Sequence, residues 1–335
     1  METLDVSNSL TPLFSKLHRA LGVWLWVFVL ALVFSFLSPY FLTTRNLINI
    51  GRQASVFALM ASGMTLVIIT GGIDLSVGSV VSLSSAILGV TWRETGSLTA
   101  AIVAALLVGS LTGLIIGVLV GYVKIPPFIA SFGMLGVGAG LAFAVTPTSI
   151  GDFPVSFEYL GNGYIFVIPA SVVLAIAVGC VLGYVLFKTP FGLHLFAIGG
   201  NEPASKLAGI DIALHKMIAY LLNGFLASLS AVVFCSRFRS SYPGVGKDLE
   251  LDVIAMAVIG GASLVGGRGG IGGALGGAVF VIMIQNVFNL LGVYPFMQKV
   301  ITGLVIVIAV IMYQGSGQSS NRVPNRAKAA GARAK

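Results

Sequence analysis

Apolar residues dominate the chain in long runs, and polar residues collect in short gaps between them. Ten apolar segments stand out, at 20–38, 50–71, 76–92, 98–121, 127–146, 164–187, 215–236, 251–266, 271–291 and 296–313. Most approach the ~20 residues that a helix needs to cross a hydrocarbon core of ~30 Å. The runs do not alternate apolar with polar residues, as the strands of a membrane β-barrel would. The pattern therefore predicts an all-α, polytopic membrane protein with about ten transmembrane helices. The segment 251–266 is short and ends in glycines, so either a span or a re-entrant element fits it.

The gaps divide the chain into a polar tail (1–19), one transmembrane domain (20–314) that contains a long loop (188–214), and a basic tail (315–335). Composition agrees: 57% of the 335 residues are hydrophobic and 9% charged, whereas soluble domains carry about a quarter charged residues. The net charge of +8 does not point to nucleic acid, because Arg322, Arg326, Lys328, Arg333 and Lys335 crowd into the tail. An even number of spans puts both termini on one side. Placing them in the cytoplasm sets those five residues inside together with Lys16, Arg19, Lys124, Lys188, Lys206, Lys216 and Arg268. Arg45, Arg52, Arg93, Arg237, Arg239, Lys247 and Lys299 then fall outside, and the positive-inside rule favours this orientation.

Glycine spacing adds a packing signal. In "GSLTGLIIGVLVG", Gly109, Gly113, Gly117 and Gly121 recur every fourth residue on one helix face, where small residues let helix backbones approach closely. "GMLGVGAG" (133–140) and "GGALGG" (272–277) carry the same signal, or leave room for a solute. "GGIDLSVG" (71–78) and "GGASLVGG" (260–267) echo one another, but both fall on the cytoplasmic side and so do not support an inverted repeat.

Candidate chemistry is sparse. The sequence has no G-x-x-x-x-G-K-[ST] phosphate loop and none of the HExxH, GxSxG or Cys/His metal patterns. His18, His194 and His215 fall in cytoplasmic or boundary segments, and Cys180 and Cys235 inside apolar runs read as core-filling thiols. Asp248, Glu250 and Asp252 form an acidic cluster on the outer side, read as the polar start of a short helix. In "VIITGGIDLSVGSVV" (67–81), Gly71 and Gly72 can end one span, and Asp74 or Ser76 can cap the next, with Gly78 following. The same Asp74 also suits a gate on the cytoplasmic side of a pathway. In the long loop, Asn201 can cap a short helix with Pro203 in its first turn, Ala204, Leu207 and Ala208 as a small apolar face, and Gly209 as its end. Such a helix suits docking into a partner's groove, and an ordinary surface helix equally well. Within the spans, Gln285 and Asn289 share a helix face with Asn286 on its flank, and Asn223, Ser131 and Thr65 are single polar residues. Phe128 and Phe132, four apart, could stack on a sugar ring. Each of these side chains also suits interhelical hydrogen bonding or packing.

Three of these motifs, in order, carry a resemblance. "GGIDLSVGS", "AIGGN" with the following "LAGI", and "LELDVIAMAVIGGASLVGGRGGIGGALGGA" (249–278) resemble the inner-membrane permeases of ribose-, xylose- and arabinose-type ABC importers, over about 20–315. The resemblance implies a bacterial inner-membrane permease paired with a second permease subunit, served by a periplasmic sugar-binding protein and by a cytoplasmic ATPase with two nucleotide-binding halves. It implies no cofactor on this chain and no enzyme activity of its own, since ATP and Mg belong to the ATPase. It maps coupling onto Gly192, Ala197, Gly199, Gly200, Asn201, Ala204 and Gly209. Leu193, where such permeases often carry arginine, and "NEPAS" depart from the family pattern. The competing reading is an ion-coupled secondary transporter of a small polar solute, which would use Asp74 as its coupling carboxylate.

Overall fold

The computed structural model describes residues 22–294, 296–298, 300–301 and 303–304. Both expected tails and most of the segment 296–313 lie outside the described residues. Helices α1 (Val23–Leu37), α2 (Thr44–Ile69), α3 (Val77–Thr95), α4 (Leu98–Gly121) and α5 (Pro127–Val145) come first. A short α6 (Glu158–Asn162) and a hairpin, β1 (Tyr164–Ile165) with β2 (Ile168–Pro169), follow. Then come α7 (Ala170–Lys188), α8 (Pro190–Gly200), α9 (Glu202–Leu207), α10 (Ile212–Phe238), α11 (Leu249–Ile259) and α12 (Ile271–Leu290). Local chemistry sets several starts: Thr43, Ser97 and Asp211 cap α2, α4 and α10 with their side chains. Pro127 and Pro190 occupy first helical positions, where the missing N–H costs nothing.

The protein is mostly helical, and among the described residues six helices (α2, α4, α5, α7, α10 and α12) are long and apolar enough to cross a membrane. The sequence expectation of about ten is not matched by that number. α1 has 15 residues and α11 has 11, and α3 is diluted by serines. The segment expected at 164–187 begins as the hairpin, with Phe166 in the left-handed region at its turn, and turns helical only after Pro169. The loop 188–214 holds two helices, α8 and α9. Cys235 is buried against Ser85, whereas Cys180 is exposed on α7 instead of filling the core.

The small-residue face of α4 packs along α10. Gly109 lies on Ser228 and the Gly224 carbonyl, Gly113 on the Tyr220 carbonyl, Gly117 on Met217, and Gly121 on Ala213. A side chain at Gly113 would enter the α10 backbone, whereas a methyl group placed on Gly140 of α5 would meet nothing within 4 Å. Gly113→Leu should therefore lower the melting temperature of the purified protein by about 10 °C or more, and Gly140→Ala should leave it unchanged or slightly raised, since alanine favours helix by roughly 1 kcal/mol. Equal melting of the two variants would refute this packing account.

Two sets of elements run in opposite senses. We call the face carrying α8 and α9 proximal, and the opposite face distal. α2 descends from distal to proximal, where the Ile69 carbonyl accepts from the Gly267 N–H (2.9 Å). The chain then turns back, and α3 starts inside the bundle, with Ser79 against Met134 and Gly138 in the middle of α5. α10 ascends from proximal to distal, the chain turns back along α3, and α11 starts inside the bundle and descends. The returning stretch is fixed by the Tyr242 N–H to Ser85 Oγ (3.0 Å) and the Gly246 N–H to Ser82 Oγ (3.0 Å). At 1.5 Å per residue, the 11 residues of α11 cover about 16 Å, half a hydrocarbon core. The starts of α3 and α11 meet where the Gly78 and Gly246 backbones touch. A long helix, a break, a helix starting at mid-depth and a full span thus occur twice, inverted. The sequence echo at 71–78 and 260–267 does not mark this relation, because 260–267 lies after α11 and not at its break. α2 and α12 are fastened near the distal end by a reciprocal amide pair, Asn46 with Asn286 (2.9 and 2.8 Å).

Candidate functional site

Two places bring together residues that the sequence singles out. The first is the break between α2 and α3. Gly71, in the left-handed region, turns the chain after α2. Gly72 is not left-handed; it passes so close to Tyr220 that any side chain would meet the phenol oxygen. Asp74 is buried, and its carboxylate is fully engaged. Oδ1 accepts from the Ser76 N–H (2.8 Å) and the Ser76 hydroxyl (2.6 Å), and Oδ2 accepts from the Asn223 amide (2.8 Å). Asp74 thus supplies the cap of α3, while Ser76, the residue at the N-cap position, makes no side-chain cap bond. Asn223 stands near the middle of α10, so this bond ties the break of one inverted set to the long helix of the other. Nearby, the Ser131 hydroxyl and the Tyr220 hydroxyl donate to the Ile73 carbonyl (3.3 and 3.4 Å).

The second place is the proximal surface. Asn201 Oδ1 accepts from the Ala204 N–H (3.0 Å) and caps α9, as its spacing predicts; Gly209 follows in the left-handed region. Ala197, Gly200, Ala204, Leu207 and Ala208 are exposed, Leu207 to 91%. Gly192 and Gly199 face inward instead: Gly192 sits on the Leu186 backbone, and Gly199 on the Ile69 carbonyl and the Gly267 N–H. α8 is held to α10 through His194 and His215, whose ring nitrogens are 2.9 Å apart, while His215 Nδ1 donates to the Asp211 carbonyl (2.6 Å).

The remaining sequence candidates are scattered. Asn286 is engaged by Asn46. Asn289 accepts from Gln298 (3.0 Å), and Gln285 is half-buried. Thr65 bonds back to the Ala61 carbonyl (2.7 Å). Phe128 and Phe132 stack on one another, centroids 5.9 Å apart, on an exposed face of α5 where Gly133, Gly136 and Gly140 have no neighbour within 4 Å. Asp248, Glu250 and Asp252 were expected beyond the outer end of the spans. Glu250 instead reaches Gly78 at the start of α3, inside the bundle, because residues 241–248 turn back along that helix. Sequence reasoning missed the Arg52, Arg237 and Asn162 cluster at the distal face, since no short-range spacing links these three residues.

Residues 46–310 match the family described as the permease component of branched-chain amino acid transport systems. The chain belongs to this family of ABC importer permeases. The ribose import permease of Bacillus subtilis (strain 168) is 41% identical to this permease over 303 residues, 89% of this chain and 94% of that protein. The ribose import permease of Escherichia coli (strain K12) is 39% identical over 290 residues, 85% and 90% of the two chains. The L-arabinose transport system permease of the same strain is 33% identical over 316 residues, 93% and 96%. No solved structure matches the permease. It is a membrane-spanning permease subunit of an ATP-driven importer, and its relatives do not support the ion-coupled alternative.

Proposed function

We propose that the permease carries a sugar or sugar-like solute from periplasm to cytoplasm, as one of two permease subunits driven by a separate ATPase that binds ATP and Mg. In this reading both termini and the proximal face are cytoplasmic, and the distal face receives a sugar-binding protein. The observation that carries it is α9, a capped helix whose apolar residues Ala204 and Leu207 are exposed together with Ala208 just after it, in a chain whose relatives are named as sugar import permeases. An exposed apolar helix face beyond the bilayer boundary suits a groove on a partner protein. The open glycine face of α5, with Phe128 and Phe132, is the candidate wall of the solute path toward the second subunit. Gln285 and Asn289, near the distal end of α12, remain candidates for its entrance.

In proteoliposomes holding the permease, its ATPase and an excess of the binding protein, Leu207→Asp should weaken ATPase association and lower ATP-dependent uptake at least tenfold. A protonophore should leave wild-type uptake unchanged. Uptake that continues without the ATPase and collapses with the protonophore would overturn the proposal.

A further inference from the structure

The distal face carries an open cavity of about 710 Å³ beside the start of α2, lined by Tyr40, Arg45, Asn46, Asn49, Arg52 and Tyr164 among others, with no Asp or Glu in its wall. Arg52 is built into it. One guanidinium nitrogen donates to the Asn162 carbonyl (2.5 Å), the group lies over the Tyr164 ring (4.9 Å to the centroid), and its buried Nε has no hydrogen-bond partner. A second guanidinium stands behind the first: Arg237 donates to Asn49 Oδ1 (2.7 Å), and its backbone carbonyl accepts from Asn162 (2.9 Å). Arg45 is exposed on the cavity wall.

Glu158, on the adjoining α6, accepts from the Asn162 amide (3.1 Å). Among the described residues the ion pairs are Arg93–Glu94 and Lys216–Glu202, so neither Arg52 nor Arg237 is in one. Two guanidiniums held by neutral oxygens, one with an unmet buried donor, are complementary to a carboxylate, whose two oxygens match the fork of an arginine. A neutral sugar would satisfy the donor but not the charge.

We propose that this cavity is the socket for an acidic side chain of the protein that delivers the solute, with Arg52 as its anchor and Arg45 steering the approach. This rests on the reading that the distal face is periplasmic. Positive charge on a face that meets an acidic partner raises the association rate, and a carboxylate seated on a half-buried arginine slows dissociation.

The test is the affinity of the solute-binding protein encoded beside the permease gene for the assembled permease–ATPase complex in nanodiscs. Arg52→Gln should weaken binding at least tenfold and flatten its salt dependence. Arg93→Gln, at the distal end of α3, should bind as wild type. Arg45→Glu, at an exposed position that folding does not depend on, should slow association several-fold. Affinities within twofold of wild type for Arg52→Gln in an intact complex would overturn the socket. If Arg52→Gln does not assemble, an unchanged association rate for Arg45→Glu would overturn it. A raised KM for solute with unchanged partner affinity would overturn it too, and mark a solute site instead. A wild-type complex that binds no such protein at all would overturn the functional reading on which the socket rests.

Discussion

Asp74→Ala is expected to destabilise the permease by on the order of 3 kcal/mol and to abolish its assembly in the membrane. The substitution removes three hydrogen bonds at once and leaves the Ser76 N–H and the Asn223 amide buried without their acceptor. Each buried group so orphaned costs about 1–3 kcal/mol. Asp74→Asn should behave differently. Its carbonyl oxygen can still accept from Ser76, and its new amide can donate to Asn223 once that side chain turns over. Asn223 Oδ1, now without a partner, then gains one. Asp74→Asn should therefore assemble and transport near the wild-type rate. Membrane levels, melting temperature in detergent and uptake give the answer together. Normal melting of Asp74→Ala would remove the capping account, and a well-folded but inactive Asp74→Asn would show that the charge itself acts in gating.

Gly199→Val is expected to uncouple ATP hydrolysis from uptake. Gly199 sits at the end of α8, directly on the Ile69 carbonyl and the Gly267 N–H, so α8 touches the end of α2 and the loop before α12 with no side chain between them. The Gly267 N–H to Ile69 carbonyl bond closes the same junction. A valine would force these backbones apart by an ångström or more, a misfit of the kind that costs a few kcal/mol in packed interiors. α9 begins three residues after Gly199 and stays exposed, so the ATPase should still bind. The expected phenotype is an assembled complex with basal ATP hydrolysis that the binding protein no longer stimulates, and uptake reduced at least tenfold. Normal stimulation would show that displacement of α8 does not travel through this contact.

How far the sequence revealed these features depended on the range of the interactions. The long apolar runs marked the six helices long and apolar enough to cross a membrane, because hydropathy is a local property. The α4 glycine face was visible because a period of four is itself the packing signal, and the Asn201 cap because it acts within three residues. The helices that start at mid-depth were only partly visible: the short, glycine-ended segment 251–266 left a span and a re-entrant element both open, and nothing local marked the start of α3. α11 is as apolar as a span, and only the contacts of Gly246 with Ser82 and Gly78 show that it starts at mid-depth. Asp74 was legible as a cap, but its partner Asn223 lies 149 residues away and has no spacing relation to it. The same holds for Gly199, whose need for a bare backbone comes from Ile69 and Gly267.

The mid-depth start of α11 also bears on how the permease is made. A stretch of 11 residues, preceded by Lys247 and Asp248, is a poor substrate for insertion by itself, since it is too short to span and its acidic first turn opposes partition into lipid. Its place is prepared by α3, which emerges from the ribosome well over a hundred residues earlier and offers Ser82 and the bare backbone of Gly78. The C-terminal third of the chain should therefore fold as a late guest of the first third. A nascent chain ending just after α11 would leave that helix at the surface or in the translocation channel until α3 and α10 have paired, and the window for quality-control proteases to act on this permease falls in that interval.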